Sequence, residues 1–228
     1  MSLSADSGSA LKQMSAYRKT LWRERGRLVP IPPGSGLILW LGWTSLTWLA
    51  FLVSLAVIEV GERGDISFVD GLLGGGLVGF AQWLMLRSHV QRSHRWIWLS
   101  ALYWGALSLL HIGALGWTAP NTPSLTVRVG AGLFYGFYVG LTLGVGQWWV
   151  MRNSLIRAWR WALLSAGIWS VSMAFGWLVG GGLRSVSHLF VAEVFGLIIA
   201  WGMMAILSGI AIIGMVYQQD HGREHDSG

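Results

Sequence analysis

The chain has 228 residues, 54% of them hydrophobic and only 11% charged, with a formal net charge of +6 and no cysteine. A soluble domain keeps its surface wet with about 25% charged residues, so a water-facing globule is excluded, and the mean hydropathy of +0.54 agrees. The missing thiols exclude disulfides, thiolate metal centres and cysteine nucleophiles.

Residues 1–9 are small and polar and read as a tail. From Ala10 to Leu28 the apolar residues Leu11, Met14, Tyr17, Leu21 and Trp22 recur at helical spacing between Lys12, Arg18, Lys19, Arg23 and Arg25. Such a segment either lies flat in the headgroup layer with its cations on anionic lipid or is a solvated basic leader that only sets topology. Pro30, Pro32 and Pro33 break it. The first apolar run begins near Gly36, behind this basic stretch, and is expected to act as its own uncleaved insertion signal.

Six apolar runs follow, at 36–60, 69–88, 95–118, 128–152, 160–183 and 188–217. Each is long enough to cross a hydrocarbon core of about 30 Å at about 1.5 Å per residue. The last is long for one crossing and must tilt, kink or project. A proline-punctuated loop, 118–123, joins the third run to the fourth. The expected fold is all-α and integral to the membrane: a basic N-terminal segment at 1–35, six transmembrane helices over 36–217, and a tail at 218–228.

Orientation follows from the 16 lysines and arginines. With the N-terminus inside, only Arg63, Arg128 and Arg184 fall outside; all the rest, including Arg87, Arg92, Arg95, Arg152, Arg157, Arg160 and Arg223, lie on the inner side. Positive charge resists translocation, so both termini are expected in the cytoplasm.

The second and fourth runs repeat one another. Gly71, Gly75, Gly79, Gln82, Trp83 and Arg87 recur as Gly136, Gly140, Gly144, Gln147, Trp148 and Arg152. The match continues through Arg92 and Arg157, Arg95 and Arg160, Trp96 and Trp161, Ser100 and Ser165, and Trp104 and Trp169. Trp40 and Trp48 of the first run keep the spacing of Trp96 and Trp104. These matches predict tandem two-helix units inserted in the same sense, hence parallel repeats. The sixth run has lost the motif, with Ala205, Gly209, Ile212 and Tyr217 at the equivalent places. Glycines four apart clear one helix face for a close neighbour, and Gln82 and Gln147 lie on those faces. The second and fourth runs are therefore expected to pack by their glycine faces, with the two glutamines bonding across. The alternative is glutamines that snorkel or line a wet vestibule.

These helices, with their G-x3-G-x2-QW-x3-R pattern at Gly75–Arg87 and Gly140–Arg152, resemble a motif of bacterial, cyanobacterial-type multi-pass membrane proteins. The resemblance covers about 71–105 and 136–170. It implies a bacterial inner membrane, or a thylakoid membrane, and carries no activity with it.

Nine tryptophans, Trp40, Trp43, Trp83, Trp96, Trp98, Trp148, Trp149, Trp159 and Trp161, fall near the inner boundary and predict an aromatic belt. Trp48, Trp104, Trp169 and Trp201 fall deeper; they either line a pocket for a flat apolar ligand or fill the space that glycines leave. Ionisable groups inside a membrane are functional candidates. Glu193 is the clearest, with His111 at similar depth, Arg184 and His188 near it in sequence, and Asp70 on the same side. They predict a site for an ion or proton, or a buried ion pair between Glu193 and a nearby base. Catalytic templates fail: Ser208 and His111 fall at opposite depths, and no metalloprotease or phosphate-loop motif occurs. Neither an enzyme nor a cofactor nor a metal site is expected. The reading is a non-enzymatic helix-packing or assembly component, partnered by the bilayer and by a second copy or another membrane protein, without nucleic acid. The alternative is a transporter or binding subunit for a small solute or apolar ligand, with its site at the deep tryptophans and Glu193.

Overall fold

The computed structural model describes residues 35–60, 66–110, 115–155 and 157–225. The amphipathic N-terminal segment and His111 lie outside them. Among the described residues the chain is helical throughout: α1 (Ser35–Ser54), α2 (Phe68–Leu86), α3 (Arg95–Leu109), a 3-10 turn (Leu115–Trp117), α4 (Leu125–Met151), α5 (Arg160–Ser187) and α6 (Val191–His225). All but α3 are long and apolar enough to cross a membrane. The outward faces are apolar as well, with Leu73, Phe80, Leu102, Leu163, Phe175, Phe195 and Ile210 exposed. Water does not tolerate so wide an apolar exterior; hydrocarbon does.

Local chemistry sets several helix ends. Ser67 and Asp70 form a capping box at α2, the Ser67 Oγ accepting from the Asp70 N–H at 3.2 Å while Asp70 Oδ2 accepts from the Ser67 N–H at 3.1 Å. Ser124 caps α4 just after Pro123, which cannot continue an incoming helix. His188 ends α5 in the left-handed conformation, φ 57°. Arg92 and Arg157 adopt the same conformation, φ 54° and 55°, in the turns before α3 and α5.

Several boundaries differ from the sequence reading: α1 ends at Ser54 rather than 60, and α6 runs to His225, past the expected 217. The third run is helical only to Leu109, and its expected end at 118 is replaced by the 3-10 turn. The turn places Leu115, Gly116, Trp117 and Thr118 in the interior; burying the large Trp117 ring outweighs continuing a helix. In contrast α5 runs on to Ser187, past the expected 183.

Each helix packs against its neighbours in sequence, and α6 closes the circle on α1. The tightest pairs are α2 with α3 and α4 with α5; the loosest seam is between α3 and α4. The backbones of helices α2 and α4 make no close approach. Their glycine faces therefore do not pack on one another as expected. The enclosed core has two parts, one around Phe51, Trp104, Trp117, Trp169 and Trp201, the other around Trp43, Trp96, Met151, Trp161 and Ile212.

Candidate functional site

Each glycine face is covered by the next helix in the chain. A Cβ at Gly75 would stand 2.5 Å from the Ser100 carbonyl oxygen, and one at Gly71 2.6 Å from that of Trp104. At Gly140 it would strike the Ser165 carbonyl, and at Gly136 that of Trp169. Backbone meets backbone there, so only glycine fits. Gly79 and Gly144 would each place a Cβ 2.8 Å from the Cβ of Ser100 and Ser165.

The glutamines follow the same pairing. Gln82 Oε1 accepts the Trp96 indole N–H at 2.8 Å, and Gln147 Oε1 accepts that of Trp161 at 2.7 Å. They bond to the following helix rather than to each other. A buried amide without a partner would cost about 1–3 kcal/mol, and the indole donor removes that cost. On α6 the equivalent contact goes back to α1: Gly209 lies against Trp40, Trp43 and Thr44, and the Trp43 N–H donates to Ser208 Oγ at 2.9 Å. Between these groups Gln82, Gln147, Ser100, Ser165 and Ser208 line a cavity of about 20 Å³, room for about one water molecule. The Ser100 hydroxyl, buried in its wall, has no protein partner.

Two expectations about tryptophan change. Trp43, Trp96 and Trp161 are core residues, 1%, 0% and 3% exposed, rather than parts of a belt; their N–H groups have internal acceptors, which lets the whole ring go inside. Trp98, Trp149 and Trp159 do face outward. Trp104 and Trp169 do not line a slot for a flat ligand. Their centroids are 5.3 Å apart, Trp201 lies 5.2 Å from Trp169, and Trp117 lies 5.3 Å from Trp104. The rings fill the space themselves. Trp48 is partly exposed and donates to the Ile198 carbonyl at 3.0 Å.

Above this cluster, at the end of the bundle remote from Arg87 and Arg152, the carbonyls of the non-helical segment need donors. Tryptophans supply them. Trp201 donates to the Gly116 carbonyl at 2.8 Å, Trp177 to that of Thr118 at 3.2 Å, and Trp117 to Ser54 Oγ at 2.8 Å.

Glu193 lies beside this segment in the first turn of α6, where a negative charge suits the helix dipole. Both of its oxygens accept from Arg128, at 2.8 Å each, with 3% and 1% of the two side chains exposed. Arg128 Nε donates to the Thr122 carbonyl at 2.7 Å. The pair has space because α5 carries glycine opposite it: a Cβ at Gly181 would lie 2.6 Å from Arg128 Cδ, and one at Gly180 3.0 Å from Glu193 Oε2. Arg184 reaches Glu193 Oε1 at 3.3 Å and lies over the Phe190 ring.

The chain matches no family model, no curated protein and no solved structure.

Of the residues singled out in sequence, Glu193 and Arg184 meet as an ion pair. Asp70 instead caps α2 with Ser67. His188 lines a cleft of about 320 Å³ with Asn121, Thr122, Arg128, Arg184 and Ser185. Arg128, expected only as an outer-side charge at the start of the fourth run, is the main partner of Glu193, a pairing that sequence reasoning missed. A signal was present: Arg128 is the sole charge in α4, and Glu193 the sole charge in the apolar part of α6. Lone charges in apolar helices need each other. Among the described residues no cluster of three or more metal-ligating side chains forms.

Proposed function

We propose that the chain is a six-span, non-enzymatic assembly component of a bacterial membrane, with both termini in the cytoplasm and a helix face that pairs with a second copy. The observation that carries the reading is Tyr138. It is 53% exposed on the outward side of α4, thirteen residues from either end of a 27-residue helix, or about 20 Å at 1.5 Å per residue. A phenol at that depth cannot reach water, and hydrocarbon offers its hydroxyl no partner. Tyr103 shows how an inner hydroxyl is satisfied, with the Val139 carbonyl at 2.9 Å and Thr142 Oγ1 at 2.5 Å. Tyr138 continues into an exposed aromatic face with Phe134, Tyr135 and Phe137.

Two copies inserted in the same sense, related by an axis along the membrane normal, bring Tyr138 opposite its own counterpart at the same depth. The glycine faces are covered within the chain, so the assembly surface is aromatic rather than glycine-lined. Six crossings are supported by the distribution of arginine and by α3, whose 15 residues cover about 22 Å, with a buried turn at Leu115–Trp117 later in the same run. Two-helix parallel repeats are supported by the matched glutamine–indole bonds and by the matched left-handed arginines. The bacterial membrane rests on the resemblance of the QW-x3-R helices.

A chain without cysteine allows a clean test. Tyr138→Cys in native membranes is expected to give a disulfide-linked dimer on mild oxidation, whereas Phe80→Cys, exposed on α2, is expected to stay monomeric. A Tyr138→Cys chain that remains monomeric under oxidation rules the reading out.

A further inference from the structure

We propose that the centre of the bundle is a binding site for one ordered water molecule, which ties the two glutamine-bearing helix pairs to each other. The sense of the glutamine amides is fixed by their neighbours. An indole nitrogen only donates, so each indole holds Oε1 toward itself, and the amide N–H groups of Gln82 and Gln147 must find an acceptor elsewhere. Neither finds one among the described residues. Both glutamines line the same cavity of about 20 Å³, together with Ser100, Ser165 and Ser208. Ser100 is 2% exposed, and its hydroxyl has no protein partner among the described residues. Amide and hydroxyl groups in need of partners thus converge on one space from α2, α3 and α4.

The chemistry of the wall selects the occupant. Its amides present N–H rather than oxygen, which repels a cation. No charged side chain among the described residues lines it, so an anion would have nothing to offset the loss of its hydration. The volume of about 20 Å³ exceeds the roughly 10–15 Å³ that one water needs and leaves no room for a larger solute. Water suits the site because it accepts from the two amides and donates to serine hydroxyls, within the roughly 2–4 bonds typical of a buried molecule. The backbones of α2 and α4 make no close approach; a shared water joins them instead. The site is enclosed within one copy and does not depend on the Tyr138 contact.

X-ray radiolysis of the full chain in nanodiscs splits bound water and oxidises the side chains beside it. Met204 lines the cavity and is 3% exposed, whereas Met151 and Met173 are 0% exposed and lie outside its wall. Oxidation of Met204 with Met151 and Met173 spared is expected. Equal oxidation of the three, or none at Met204, overturns the proposal. Thermal unfolding followed by tryptophan fluorescence gives a second test, which turns on a sign. Ser100→Ala deletes a bond to the water and is expected to lower the melting temperature by about 2–4 °C. Ser172→Ala deletes a hydroxyl that is 0% exposed, lacks a partner among the described residues and lies outside the cavity wall. Losing a dry, unbonded hydroxyl is expected to raise the melting temperature or leave it unchanged. A Ser100→Ala chain that melts no lower than the parent overturns the proposal, because its hydroxyl would then be as idle as that of Ser172. Should Ser100→Ala not fold, the oxidation pattern of the parent chain decides alone.

Discussion

Helices α2 and α3 form one pair and α4 and α5 another, and near the arginines the two pairs are built alike. Glycine meets the same backbone carbonyls, glutamine accepts from the same tryptophan, and the joining turn bends at the same left-handed arginine. Toward the other end they part. Helix α3 stops after 15 residues and gives way to the Trp117 turn, whereas α5 continues for 28 and meets Arg128 and Glu193 with Gly181 and Gly180. A shared packing motif fixes one half of the bundle. The other half differs because it holds non-helical backbone and buried charge, and each of these needs partners made to fit.

The sharpest way to break this contrast is at the charged end. Glu193→Gln leaves Arg128 buried without its carboxylate, and losing one partner of such a pair costs about 3–5 kcal/mol. Replacing both, with Arg128→Met and Glu193→Leu, is expected to restore most of the stability, because two desolvated charges are then removed together. Denaturation in detergent followed by tryptophan fluorescence measures both variants. A Glu193→Gln chain as stable as the parent would mean that the pair does not hold this end together.

The motif half is tested by glycine. Gly75→Ala and Gly140→Ala each force a methyl group against a backbone carbonyl and are expected to cost about 1–3 kcal/mol. Gly130→Ala, with nothing within 4 Å of its added Cβ, is expected to gain up to about 1 kcal/mol from helix propensity. Similar losses at 75 and 140 in the same denaturation assay would sharpen the likeness of the two pairs; a neutral Gly75→Ala would break it. The smallest effects belong to the turns. Arg92→Gly and Arg157→Gly relieve a left-handed backbone at exposed positions, and each is expected to gain a few tenths of a kcal/mol, at most about 1. Unequal shifts in melting temperature would show that the two turns are held differently.

The helical character, the lipid-facing exterior and the places where most helices begin were legible in the amino-acid sequence, because apolar run length and arginine position are local properties. So was the importance of Gly75, Gly140, Gln82 and Gln147, since a spacing of four puts them on one face. Their partners were not legible. The same smooth face suits a sequence neighbour or a distant helix equally well, and only the closed circle of six helices turns Gln82 toward Trp96 and Gln147 toward Trp161. The end of α3 at Leu109 was hidden for a related reason. Gly176 and Gly180 of α5 are gripped by α6 and Gly181 by Arg128 of α4, whereas beyond the end of α3 the Trp117 ring is buried in the interior. Sequence alone determined which residues had to leave water and which charges needed company. The tertiary structure decided who the company would be: Arg128 and Glu193 are separated along the chain by most of two helices, and their meeting depends on packing that no local pattern encodes.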